Sequence, residues 1–412
     1  MSKFNLQDIG ICACPGGTQF AEEIITHLQS IAMKKANVQV KSLARKYGLD
    51  EKVLLKQAAL QRDLTHIHET VGLNGKISVS RDQFRVKVGF TRFANGEFKT
   101  AVESSIRGKD IYIIQDVSNQ YPLTFSGSST PHQLSINDHI FCLLTTVDAV
   151  LQAGAGRLTI VIPSYPYSRQ HKKKGREGLT AARVGQILEY LGVARIITLD
   201  IHSREIENCF NRVRLENLHA SYQILRSLSS IIDLKDNNLV IVSPDTGSVD
   251  RNKFYATALN RPLAILYKER DYTKLTHDAA NHNIAKVNLL GSVSGKTVFM
   301  GDDLLGSGGT MMVALKSLKE QGAGKIICAV SLPFFTGKAI AYFDQAYRDG
   351  LFYRIIGTNA VYHTDEVRSR EWYISANVSR LFAKAIYRLC FNQSLSPLLD
   401  NRDIITKLLD QK

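Results

Sequence analysis

The sequence predicts an α/β protein built on mostly parallel sheets flanked by helices, and three observations predict it. From Phe84 onward, short apolar runs alternate with stretches whose apolar residues recur at helical spacing, the pattern of strands joined by crossover helices. Polar clusters follow those runs, where such sheets expose the carboxyl ends of their strands to ligands. Thr297 to Ala323, TVFMGDDLLGSGGTMMVALKSLKEQGA, shows the unit complete. An apolar run reads as a buried strand ending at Gly301. The acids Asp302 and Asp303 follow, then a small-residue turn from Gly306 to Thr310 and a helix broken at Gly322.

Asp8 to Cys14 reads as a strand, followed by Pro15-Gly16-Gly17-Thr18 and a helix from about Gln19 to Met33. Lys34 to Gln83 is rich in Lys, Gln and Ala, with Val53-Leu54-Leu55 and Ala58-Ala59-Leu60 at helical spacing, and reads as a helical insertion without a chemical motif. Further strands are expected at Val86 to Phe90, Asp110 to Val117, Arg157 to Ser164, Ala194 to Ile201 and Leu239 to Ser243. They continue at Pro262 to Tyr267, Thr297 to Met300, Lys325 to Leu332 and Tyr353 to Ile356. Helices are expected at Ile136 to Gln152, Leu179 to Leu191, Leu218 to Ile232, Met311 to Gln321, Lys338 to Arg348 and Val378 to Phe391. Tyr121 to Gln133, rich in Ser, Thr and Pro, is a loop.

At 412 residues and 44% hydrophobic composition, the chain can bury the cores of two domains of ordinary size. The net charge of +14 suits nucleic acid or substrates bearing several phosphates. The densest basic run, Lys172-Lys173-Lys174, is not part of a tract interleaved with aromatics, which favours phosphorylated metabolites over nucleic acid. Cys12, Cys14, Cys142, Cys209, Cys328 and Cys390 form no CxxC pair, so reduced thiols and no zinc site are expected. The opening MSKFNLQDIG lacks the apolar core of a signal peptide, and no apolar run approaches the ~20 residues that cross a bilayer. The expectation is a soluble, cytoplasmic protein.

The Gly306 to Thr310 turn has the make-up of an anion cradle. Backbone N–H groups of the turn and first helical turn point one way, the helix dipole favours negative charge, and hydroxyls add donors. The adjacent acids suit sugar hydroxyls or Mg²⁺. An ordinary strand-to-helix turn is the bland reading. Tyr165 to Lys174 is a solvated basic loop or, through Arg169 and Gln170, a phosphate or nucleotide contact. His202 is structural or a ligand, and Asp245 caps the next helix or binds metal. Lys268 and Arg270, two apart on an extended segment, project to one side. They form a charged loop or a cationic clamp on a transferring phosphoryl group. Phe93, Asn95 and Glu97 make a turn or a surface for stacking on and hydrogen-bonding a base.

Taken in order, FANGE at Phe93, IND at Ile136, VIPSYPYSRQHKK at Val161, LDIHS at Leu199, VSPDTGS at Val242, YKER at Tyr267 and GDDLLGSGGT at Gly301 resemble ribose-phosphate diphosphokinases. The likeness spans about Phe84 to Phe391. It implies two phosphoribosyltransferase-like domains, 1–220 and 221–412, and transfer of the diphosphoryl group of Mg–ATP to the C1 hydroxyl of ribose 5-phosphate. It further implies ATP contacts at Phe93, Asn95, Glu97, Arg169 and Gln170, and a Mg²⁺ site at His202 and Asp245. Lys268 and Arg270 become catalytic cations. Asp302, Asp303, Ser307, Gly308, Gly309 and Thr310 become the ribose 5-phosphate site. The resemblance also implies self-association into a hexamer with sites completed across subunits, while the charge distribution and apolar runs above lead to the expectation of no nucleic-acid and no membrane partner.

The chain departs from the family pattern at Gly306, where an acid is usual, at His171, where an Asp is common, across Ser203 to Phe210, and in the insertion. A phosphoribosyltransferase would share the Asp-Asp and Gly-Gly-Thr elements without needing the LDIHS and YKER blocks. A non-catalytic regulatory homologue fits Gly306 and the insertion but not the intact Lys268-Glu269-Arg270.

Overall fold

The computed structural model describes residues 8–54, 56, 79–127, 130–173, 175–270 and 284–410. The first half runs β1 (Ile9–Ala13), α1 (Thr18–Tyr47), β2 (Val88–Arg92), β3 (Phe98–Val102), β4 (Asp110–Ile114), α2 (Ile136–Gln152) and β5 (Arg157–Val161). It continues with α3 (Thr180–Tyr190), β6 (Arg195–Leu199), β7 (Arg214–Leu218) and α4 (Ser221–Leu228). Then come β8 (Leu239–Ser243), α5 (Val249–Leu259), β9 (Leu263–Arg270), β10 (Ile284–Leu290), β11 (Thr297–Leu305) and α6 (Gly309–Glu320). The chain closes with β12 (Ile326–Pro333), α7 (Ala339–Arg348), β13 (Arg354–Thr358), β14 (Tyr373–Ala376), α8 (Ser379–Cys390) and α9 (Arg402–Asp410).

Two sheets carry the fold. One is all parallel in the order β1-β4-β5-β6-β7. The other runs β10-β9-β8-β11-β12-β13-β14 and is parallel except for the β9–β10 edge pair. β2 and β3 form a separate hairpin. Because the strands are buried on both faces they read as continuous apolar runs, such as Ile111 to Ile114 and Val240 to Val242, all at most 1% exposed.

One hydrophobic core joins the sheets. Tyr112, Ile114, Ile197 and Leu199 of the first sheet and Ile241, Phe299, Ile327 and Ile356 of the second belong to a single cluster with α1, α4, α5 and α8. Phe20 of α1 meets Phe382 of α8 edge-on, centroids 5.1 Å apart. The Tyr112 hydroxyl donates to the Ile386 carbonyl at 3.4 Å, and Arg157 donates to the Leu389 carbonyl at 3.1 Å. A helix from the C-terminal end of the chain thus packs against the first sheet. The outer faces have their own cores, with α2 and α3 on the first sheet and α6 and α7 on the second.

Several expectations need correcting. The first helix does not stop at Met33 but continues through Tyr47. Lys34 to Tyr47 contains strong helix formers and no Gly or Pro, and the helix ends only at Gly48 (φ +64°), whose N–H bonds to the Ala44 carbonyl. Of the expected insertion, residues 55 and 57–78 lie outside the described part. β11 does not end at Gly301. β12 stays paired beside it through Leu305, opposite Pro333, so Asp302 and Asp303 lie within the strand. β8 leaves β11 at Met300, opening a crevice on that side just where the acids begin. β3, β7, β10, β14, α5 and α9 were not expected.

Candidate active site

The carboxyl ends of β6, β8 and β11 converge. Past β6 the chain turns through Asp200, in the left-handed region at φ +43°, and His202 follows. His202 Nδ1 lies 2.6 Å from Asp303 Oδ2, a bond from the first sheet to the second. Asp302 Oδ1 accepts from the Asp303 backbone N–H at 2.8 Å and from Ser248 Oγ at 3.1 Å. The Ser248 N–H in turn donates to Asp245 Oδ1 at 2.8 Å. His202, Asp245, Asp302 and Asp303, assigned separately from sequence, therefore share one hydrogen-bonded group.

Its carboxylates are electrically unequal. Burial, then the neighbouring Asp303 charge, pushes Asp302 up to about 8. Burial also opposes ionisation of Asp303, but the His202 hydrogen bond and the Arg251 charge outweigh it and hold that carboxyl below its ordinary range. With Asp303 ionised, His202 donates through Nδ1, and the neutral imidazole keeps its lone pair on Nε2. Burial would likewise raise Asp200, yet Arg251, His219 and Ser331 together hold it well below the usual carboxylate range. Arg251, Ser331, His219 and Ser248 were not singled out from sequence. The one available signal was position, since Asp200 and Ser248 follow strand ends.

The glycine turn leads straight into α6. Gly308 is the N-cap at φ +83°, and no side chain caps the helix. Its backbone angle favours glycine, and an added Cβ would lie 2.6 Å from Phe343 Cε2. Gly309 differs: a Cβ there meets nothing within 4 Å. Ser307 and Thr310 are exposed beside it, so the N-terminal N–H groups of α6 open onto free space. Gly306 needs no special backbone angle, and its Cβ would meet only Thr336 Oγ1 at 3.6 Å and Arg169 Nη2 at 3.8 Å. Arg169 of the first half thus reaches the phosphate-type turn of the second. Gln170 is exposed next to it, its N–H bonded to the Tyr167 carbonyl at 2.7 Å.

The remaining predicted groups are at the β2–β3 hairpin and the end of β9. Phe93, Asn95 and Glu97 form the tip of the β2–β3 hairpin, where the Phe93 N–H donates to the Glu97 carbonyl at 2.8 Å and the Glu97 N–H to Asn95 Oδ1 at 3.2 Å. Phe93 is 45% exposed. Among the described residues these three make no hydrogen bond, ion pair or ring contact with the acid group. Lys268 and Arg270 end β9, opposite Val287 and Ile284 of β10, and their side chains lie outside the described part.

Among the described residues no cluster of three or more His, Cys, Asp or Glu side chains is disposed to hold a metal ion unaided. The nearby donors are hard carboxylate oxygens and one imidazole nitrogen. This suits a cation such as Mg²⁺, which takes one or two protein groups and completes its shell with water and substrate phosphates. No described helix is long and apolar enough to cross a membrane.

Comparison with known proteins bears on the same elements. Residues 64–192 match the profile of the N-terminal domain of ribose phosphate pyrophosphokinase, and residues 212–366 match that of the phosphoribosyl transferase domain. The chain is 32% identical to ribose-phosphate pyrophosphokinase 2 of Schizosaccharomyces pombe, over 76% of this chain and 89% of that one. It is 30% identical to ribose-phosphate pyrophosphokinase of Bacillus caldolyticus, over 82% of this chain and 99% of the other. A crystal structure of phosphoribosylpyrophosphate synthetase from Mycobacterium smegmatis superposes with a TM-score of 0.66 at 23% identity, covering 93% of this chain and 99% of that one, a likeness of fold.

Proposed function

The chain belongs to the ribose-phosphate pyrophosphokinase family, and on that premise we propose how its residues move the diphosphoryl group of ATP onto the C1 hydroxyl of ribose 5-phosphate. The products are 5-phosphoribosyl 1-diphosphate and AMP. The observation that carries the assignment is the His202–Asp303 bond. It sets a strand end of the first sheet against the acid pair of the second, one turn away from an uncapped helix N-terminus.

In this reading Ser307 to Thr310 receive the 5-phosphate on the N–H groups of α6, where the dipole and unpaired donors favour an anion. Asp302 and Asp303 take the ribose hydroxyls. The unequal carboxyls provide a protonated donor and an ionised acceptor side by side. Arg169 and Gln170 hold the triphosphate at the edge of the sugar site, and Phe93, Asn95 and Glu97 present a stacking face and polar groups for adenine. Lys268 and Arg270 neutralise charge that grows on the transferring group, a role needing position rather than a covalent nucleophile.

Asp245 and His202, through Nε2, would hold Mg²⁺ together with the substrate phosphates, and the cation would supply charge neutralisation on their oxygens. The exposed hairpin tip favours self-association, with Phe93 completing the site of a neighbouring copy. We place the enzyme in the cytoplasm.

The test is purified protein with Mg²⁺, ATP and ribose 5-phosphate, following AMP. Sugar-dependent AMP is the expected result, and its absence at every phosphate concentration would sink the assignment. Sedimentation of the active protein as a monomer would refute a site completed by a second copy.

A further inference from the structure

Beside the acid group lies a second network, centred on a buried carboxylate, that the reaction scheme does not use. Asp200, 6% exposed, sits past the end of β6. Its Oδ2 accepts from Ser331 Oγ of β12 at 2.6 Å and from the Ala220 N–H at 3.1 Å. Its Oδ1 accepts from His219 Nδ1 at 2.9 Å and pairs with Arg251 Nη1 of α5 at 3.4 Å. Two of these partners directly follow β7 of its own sheet, and two belong to α5 and β12 of the second half.

Arg251 is continuous with a second lock. Its neighbour Asn252 brackets Gly301, donating to the Gly301 carbonyl at 2.8 Å and accepting from the Gly301 N–H at 2.9 Å. Gly301 immediately precedes Asp302 and Asp303. Ser331 lies on β12 one residue past Val330, the register partner of Asp302. Both routes from Asp200 to the second sheet therefore end beside the acid pair. His202, two residues beyond Asp200, is the next side chain to cross between the sheets.

We propose that Asp200 and Arg251 are positioning residues that tie β6 to α5 and β12 and so hold His202 in register with the Asp302–Asp303 pair. The inference rests on the proposed reaction only for its kinetic readout. Asp200 also accepts the left-handed backbone angle noted above, uncommon for a residue other than glycine. Such conformations persist when surrounding contacts over-determine them, and here three hydrogen bonds and an ion pair to one carboxylate do so. A buried pair of this kind is poor as a source of stability but well suited to fixing one arrangement over others.

The experiment compares wild type with Asp200→Asn, Arg251→Gln, their double variant, Arg251→Lys and Ser331→Ala. The first readout is the His202 Nδ1–H proton in a ¹⁵N-resolved spectrum of the ligand-free protein, which needs no activity. It should shift or vanish in Asp200→Asn and Arg251→Gln, and shift less in Arg251→Lys and Ser331→Ala. The second is kcat/KM at a temperature well below unfolding. Each charge-removing single variant should lose about 100-fold, as expected of an ångström-scale misplacement, and the double variant should lose no more than either single one. An unchanged His202 proton, or single losses that multiply in the double variant, overturns the tie. If Asp200→Asn fails to fold, Arg251→Lys and Ser331→Ala decide by the same proton. If wild type forms no AMP, the reaction assignment fails and the spectrum still judges the tie.

Discussion

Replacing Gly309 by alanine should separate the ligand's demands from the fold's. The Cβ would meet nothing within 4 Å, and φ at Gly309 is not positive, so the ligand-free protein has no steric reason to object. Ala in a helix is favoured over Gly by up to about 1 kcal/mol, so unfolding in urea should be unchanged or slightly later. The methyl would stand in the open space before the N–H groups of α6. Forfeiting one hydrogen bond to a charged phosphate costs about 1.5–3 kcal/mol, which is roughly a 10- to 150-fold rise in the ribose 5-phosphate Kd. Gly308→Ala makes the contrast. At φ +83°, with Phe343 2.6 Å away, left-handed strain and overpacking together should cost about 2–5 kcal/mol of stability. Calorimetric titration of ribose 5-phosphate and urea unfolding of both variants check this. Gly309→Ala that binds the sugar like wild type, or unfolds as early as Gly308→Ala, would refute the cradle.

Three further outcomes are expected. Lys268→Ala should lower kcat by roughly 100-fold or more while the ATP Kd moves little, the mark of a group acting mainly in the transition state; lost ATP affinity with normal turnover would contradict the clamp. Burial pushes Asp116 up to about 6 and His363 down to about 4. Protonation of Asp116 thus favours folding, an effect lost as pH rises from its unfolded value to about 6. Neutral His363 favours folding at high pH, an effect lost as pH falls toward about 4. The two cancel between those values, so Asp116→Asn should add a rise in stability of about 1.4 kcal/mol per pH unit across that window, and an unaltered profile would count against it. Phe382→Ala, at a fully buried ring against Phe20, should cost about 3–5 kcal/mol in urea unfolding; a loss below about 1 kcal/mol would mean that α8 is not part of the core.

The sequence was most informative where burial is continuous. β8 and α2 appear with their expected bounds because Leu239 to Ser243 and Ile136 to Gln152 have unambiguous periodicity. β7 (RLENL) escaped because its alternation is broken by charged and amide groups, β14 (YISA) because four residues are too few to show a period, and α5 (VDRNKFYATAL) because its first turn is polar and charged after Val249 and its apolar stripe is thin. In the site, His202, Asp245, Asp302 and Asp303 were legible as polar residues directly after apolar runs. The Asp200–Arg251–Ser331 network was not. Ser331 sits inside an apolar run that reads as core, and nothing local in the sequence says which helix residue will face a carboxylate from another sheet.

The shared core has a consequence during synthesis. The first sheet is complete in sequence at Leu218, yet the helix packed against α1 and its strands ends at Cys390. The intervening 172 residues take on the order of 10–30 s to translate. For that interval the faces of Tyr112, Ile114 and Phe20 lack their final cover, whatever local structure has formed. The nascent chain should therefore depend on holding chaperones more than a protein of two self-sufficient halves would, and a ribosome stall before Cys390 should leave an aggregation-prone product even though an entire sheet has emerged.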